Sequence, residues 1–263
     1  MYQKLIDMYK YKNTCFFSGD LLRSFAKHEK LAGQILDEPK YFFTIFEYLY
    51  DYKNIELQLD ASETIRSILS IQEALKEDLK LSPIAISFLE KNYDVIFGKI
   101  MNILKKTENI DYLTQRIMAE FLLDLIKIQN GCDAYRKRFL QDVDFFKIIL
   151  NMVNDDSNKI QECAFHILKY FIVNPEKSKS VEKIVNKNIN VLVQYITQYP
   201  CKCDTDIQDM DYLVNFLQYM DKKIKRDNTK RNEEKMKEKK SHEMKEKKSN
   251  ELKETSYTYY SYE

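Results

Sequence analysis

Turn formers are scarce. Four glycines and four prolines in 263 residues leave little material for tight turns, which argues against a fold of many strands and hairpins. Tryptophan is absent, and the only histidines are His28, His166 and His242. The five cysteines contain no CxxC; Cys201 and Cys203 form a CxC beside Pro200 and several aspartates. A structural zinc centre needs four ligands, usually as two close pairs, so no metal site is expected. Gly19, Gly33, Gly98 and Gly131 are isolated, which excludes a glycine-rich phosphate loop. GxSxG and HExxH are missing. His242–Glu243 has no second histidine behind it, and CDTDIQDMD (203–211) lacks the central glycine and last glutamate of a calcium loop. No catalytic residue and no cofactor are therefore expected, and the reading is of a protein that is not an enzyme. No run approaches about 18 apolar residues. The opening MYQKLIDMYKYKN is too charged for a secretory signal. Unpaired cysteines and the lack of an Asn-x-Ser/Thr sequon suit a reducing compartment, so the expected location is cytoplasmic.

What remains is rich in Leu, Ile, Lys, Glu, Phe and Tyr, with 13% aromatics. The stretch NKIQECAFHILKYFIVNPEKS (158–178) shows the pattern. At about 100° per residue, Ile160, Ala164, Ile167, Leu168 and Phe171 share one face. Lys159, Glu162, His166 and Lys169 share the opposite one, and Cys163 lies at the border. Cys163 and His166 are thus read as parts of an amphipathic helix ended by Pro175, not as half a metal site. The same reading places helices at 2–10, 13–28, 38–50, 55–73, 82–90, 92–105, 110–129, 131–141, 143–154, 157–173, 178–186, 187–199 and 207–222. Pro39 and Pro83 sit near helix starts, where proline is tolerated, and Ser82 is placed as a cap.

These segments recur in order. The pairs 41–50 and 54–69, 92–104 and 110–126, and 143–153 and 158–173 each join a medium helix to a longer one. Ala61, Ala119 and Ala164 occupy like points, 58 and 45 residues apart. A loose repeat of three-helix units predicts an all-α, armadillo- or HEAT-like, right-handed helical-repeat solenoid, whose stacked units share a core and offer a concave face to partners. A single irregular bundle is the alternative. The repeats are assigned to 1–222, and 223–263 to a Lys/Glu-rich low-complexity tail. From Lys222 to Glu254 there are 14 Lys/Arg and 8 Asp/Glu. With so few apolar residues this segment has no core of its own; it reads as a solvated extension, or as a contact for RNA or another anionic surface. The closing SYTYYSYE is expected to be disordered.

The run SNKIQECAFHILKYFIVNPEKS, followed by IVNKNINVLVQYI and MDYLVNFLQ, resembles the closing repeats of the calcium-binding protein 39 family, also called mouse protein 25, or Hym1-like in fungi. LLRSFAKHEKLAGQIL (21–36) and SFLEKNYDVIFGKIMNILKKTENIDYLTQR (87–116) are also similar to it. The resemblance covers roughly residues 1–222; its fairly specific part is the IQ-x-x-AFH…NP string, which generic armadillo repeats lack. It implies a non-catalytic scaffold. The concave face would bind a sterile-20-like kinase or pseudokinase and hold it in an active-like conformation. A C-terminal pocket would take a Trp-Glu-Phe type peptide.

By the same resemblance, Tyr112 and Arg116 match partner-facing positions. Lys187 matches a lysine that pairs with the peptide's glutamate, and Leu150 stands where the family has a pocket methionine, a near-volume swap. Leu150 and Lys187 are expected to line one groove, with Lys187 opening its helix. Without the resemblance, Arg116 and Lys187 read as solvated charges and Leu150 as core. There are departures: a second kinase-facing arginine is replaced near Gln129, the lysine-rich tail is not a family feature, and the chain would begin about two repeats into the family's array. Readings of other classes are a helical-repeat RNA-binding protein using the basic tail and a general armadillo-type adaptor.

Overall fold

The computed structural model describes residues 1–11, 13–50, 54–69, 81–105, 110–128, 134–200 and 204–259. Among the described residues there are fourteen α-helices, one 3-10 helix and no strand, an all-α helical-repeat architecture. Two compact units divide at Lys183 and Ile184.

The first unit begins with α1 (Tyr2–Met8) and α2 (Cys15–Ala26). Three-helix repeats follow. The first is α3 (Glu29–Leu36), α4 (Pro39–Glu47) with a 3-10 turn over Tyr48–Tyr50, and α5 (Ile55–Ile68). The second is α6 (Pro83–Lys91), α7 (Tyr93–Leu104) and α8 (Tyr112–Lys127). The third is α9 (Ala134–Gln141), α10 (Val143–Met152) and α11 (Asn158–Val173). The caps explain several of these starts. The side chains of Asn54, Ser82, Asp111, Asp142 and Ser157 each accept a backbone N–H in the first turn of the helix that follows, satisfying donors that the helix itself cannot.

The long helices stack in order: α2 on α5, α5 on α8, and α8 on α11. Ala61, Ala119 and Ala164 are fully buried in that stack, and their small side chains let neighbouring helices approach. On the core side, aromatic rings run from one repeat into the next. Phe42 meets Phe88 at 4.7 Å, Phe46 meets Phe121 at 6.0 Å, and Phe97 meets Phe139 at 5.9 Å. No repeat completes this core alone, which is the physical meaning of the repetition.

The second unit contains the end of α12 (Lys179–Lys187), then α13 (Ile189–Gln198) and α14 (Asp204–Tyr259). Here α13 packs against α14, burying Leu192, Ile196, Leu213 and Leu217.

Three features differ from the sequence reading. The segment left between 28 and 38 is the helix α3; Ala32, Gly33, Ile35 and Leu36 form its buried face. It is only eight residues long, so few apolar positions mark it. A Cβ at Gly33 would lie 3.0 Å from Ile84 Cδ1, so α3 passes close to α6 there. Lys187 does not open a helix. It closes α12, and Asn188 separates it from α13. Finally, α14 does not stop near 222 but runs to Tyr259, so 256–259 are helical rather than disordered. Opposite charges four apart, such as Glu233 with Lys237 and Glu243 with Lys247, favour helix without any core.

Candidate functional site

The stacked long helices of the first unit set the geometry of one exposed face. Their register follows from cross-helix contacts. Gly19 on α2 lies against Asp60 on α5 so closely that a Cβ would come 2.3 Å from the carboxylate. Gln58 Nε2 on α5 donates to Thr114 Oγ1 on α8 at 2.9 Å. Eight residues along, Arg66 Nε donates to Asp124 Oδ2 at 2.7 Å. Ser157, capping α11, donates to the Tyr112 hydroxyl at 3.2 Å. The four helices therefore run parallel, with their N-terminal turns side by side.

Those turns carry large apolar side chains in solvent. Phe17 on α2 is 60% exposed, Ile55 and Leu59 on α5 are 59% and 51%, and Tyr112 on α8 is 51%. In the register above, Ile55 falls level with Tyr112, and Leu59 level with Arg116. Large exposed apolar side chains thus recur on three neighbouring helices. Composition hid Phe17, Ile55 and Leu59, which look like core material in a linear sequence. Their helical angle relative to Tyr112 is the one signal that points to them.

Beside this row lies a polar cluster. Arg23 Nη1 donates to Asp60 Oδ1 at 2.9 Å and to Thr64 Oγ1 at 2.8 Å, and Nη2 donates to Asp20 at 2.5 Å. Tyr9 donates its hydroxyl to the other oxygen of Asp60. Burial and the Asp60 carboxylate push the Tyr9 phenol far above its ordinary range. A cavity of about 320 Å³ lies here, lined by Asp20, Arg23, Lys27 and Glu63 among others. The guanidinium is already matched by carboxylates, so the cluster clamps α2 to α5 rather than presenting a reactive group. Arg66 and Asp124 do the same for α5 and α8, although burial still raises the Asp124 carboxyl despite the arginine.

Of the residues singled out from sequence, Tyr112 and Arg116 share one face of α8. Arg116 Nε donates to Glu120 Oε1 at 3.0 Å, and its side chain is 42% exposed. Leu150 is half-buried on α10, also in the first unit; Lys187 is exposed at the end of α12, in the second. Gln129 lies outside the described residues. Cys163 is buried, and burial pushes its thiol up to about 12. His166 packs beside Phe165, with ring centroids 5.6 Å apart. Among the described residues no group of three His, Cys, Asp or Glu converges as metal ligands would, and no helix is long and apolar enough to cross a membrane.

The chain is similar to known proteins over most of this fold. A Mo25-like protein of Schizosaccharomyces pombe is 28% identical over 79% of this chain and 58% of its own length. A calcium-binding protein 39-like protein of Homo sapiens is 28% identical over 78% of this chain and 57% of its own. Protein HYM1 of Saccharomyces cerevisiae is 25% identical over 74% and 45%. The chain thus spans roughly half the length of these curated relatives. Among solved structures, an engineered protein matches with a TM-score of 0.50 at 11% identity, over 83% of this chain and 96% of that one, a likeness of fold alone. The family model described as Mo25-like matches residues 1–221, and on that match, with its stacked three-helix repeats, the chain belongs to the Mo25-like family.

Proposed function

We propose that the chain is a non-catalytic scaffold, whose α2–α5–α8 face binds a protein kinase or pseudokinase of the sterile-20-like group and holds it in an active-like conformation. The observation that carries this reading is the exposed row Phe17, Ile55, Leu59 and Tyr112, continuous with Arg116. An apolar strip rimmed by charge is what a protein partner needs: an anchor region that excludes water and a polar edge that sets orientation. Family membership supports the same reading, and the kinase group is what the sequence resemblance implies. The sequence resemblance also implies a Trp-Glu-Phe type peptide as a ligand, with Leu150 and Lys187 as separate candidate contacts, the first apolar and the second for a carboxylate. A cytoplasmic location suits this role.

The test is capture of a sterile-20-like kinase domain by the purified chain, with kinase activity read alongside. Leu59→Asp places a charge in the middle of the row and should weaken capture at least tenfold while leaving helicity intact. Arg116→Glu should weaken it less. Unchanged capture in both variants would remove this face from the proposal.

A further inference from the structure

The family match ends at residue 221, but the helix does not. α14 continues without a break to Tyr259, and the segment just past the match is the most basic in the chain. Lys222–Arg231 reads KKIKRDNTKR, with six Lys/Arg against Asp227 alone. All ten residues lie in helix and every one except Ile224 is exposed. At about 100° per residue, Lys222, Lys223, Arg226 and Lys230 fall within one arc of roughly 100°. Lys225 lies outside that arc and is taken up by Asp221, 2.5 Å away. None of the four residues in the arc has an ion-pair partner among the described residues. Past Arg231 the character changes. Glu233, Glu234, Glu238 and Glu243 alternate with lysines, so the net positive charge is concentrated in the first three turns.

We propose that this face of α14 is a nucleic-acid-binding element that reads the phosphate backbone and not the base sequence. From Lys222 to Lys230 the helix rises about 12 Å. One strand of a duplex presents a phosphate every ~3.4 Å, so four cations held on a preformed helix match three to four phosphates in a row. A helix lying on a lipid surface needs an apolar face opposite its charges; Ile224 is the one apolar residue in these three turns, which favours nucleic acid over membrane. The role is additional to the proposed kinase contact and independent of it.

The test uses the full chain and a fluorescent 20-base-pair DNA duplex of arbitrary sequence. With three to four phosphates neutralised, log K against log salt should have a slope of about −3, so that raising salt from 50 to 200 mM weakens binding about 60-fold. The variant K222A/K223A/R226A/K230A should lose this slope. Four alanines at Lys235, Lys237, Lys239 and Lys240 should change it by about one unit or less, and circular dichroism should show both variants helical. No binding at 50 mM salt, an unchanged slope in the first variant, or binding to phosphatidylserine vesicles without binding to the duplex would each overturn the proposal. Kinase capture should be the same in all three proteins, which separates this failure from failure of the scaffold reading.

Discussion

Gly19 shows how one residue can set the distance between two helices. In a solvent-exposed helix, alanine in place of glycine gains about 1 kcal/mol. Here the added methyl would displace the Asp60 carboxylate, which cannot swing aside freely because Arg23 and Tyr9 hold both of its oxygens. Breaking such a charge-assisted bond costs about 1.5–3 kcal/mol, so Gly19→Ala should be net destabilising by about 0.5–2 kcal/mol in urea unfolding. Asp111 makes a different argument. Burial alone would raise its carboxyl, but the Thr114 N–H and hydroxyl and the Leu113 N–H outweigh this and hold it below its usual range. Asp111→Ala should cost about 1 kcal/mol as a lost helix cap. A depressed folded-state pKa stabilises fully above the unfolded value, near ~3.9, and is lost as pH falls through the folded one. The difference between wild type and variant should therefore shrink when urea midpoints are compared at pH 7 and at pH 3. Cys163 offers a passive probe. With its thiol pushed up to about 12 by burial, thiolate is rare at pH 8, and iodoacetamide should label its peptide in mass spectrometry only when urea opens the stack.

Among elements, the stacked pairs α2–α5 and α5–α8 are joined by different chemistry on their two sides. The core side is aliphatic and aromatic, while the outer side carries Arg23 with Asp60 and Arg66 with Asp124. Arg66 and Asp124 are each 26% exposed, so water screens their attraction and a double-mutant cycle should find a coupling of about 1 kcal/mol. The distal part of α14 carries opposite charges four residues apart in sequence, such as Glu233 and Lys237, a spacing that favours helix. Its helicity should fall when 1 M salt screens those pairs, and circular dichroism should show no such fall once residues 232–259 are removed. An unchanged salt response after that removal would place the salt-sensitive helix elsewhere.

At the scale of the whole molecule, periodicity and composition were enough for the architecture. Scarce glycine and proline, apolar residues at 3.6-residue spacing, and the recurrence of Ala61, Ala119 and Ala164 all report local helix geometry and the need for small residues between stacked helices. Such signals lie within one or two turns of sequence, so they survive without coordinates, and Pro39, Ser82 and Pro83 marked helix starts for the same reason. The helix α3 was lost because its eight residues hold too few apolar positions to mark a period. The helix beyond 222 was not assigned because no apolar period marks it; only charges four residues apart favour it. Sequence also nominated Tyr112 and Arg116, but through resemblance rather than physics. Only the stacking of α2, α5 and α8 in parallel register brought Phe17, Ile55 and Leu59 level with them. An exposed apolar residue and a buried one look alike in a linear chain; which side chain meets water is decided by the neighbouring repeat, tens of residues away.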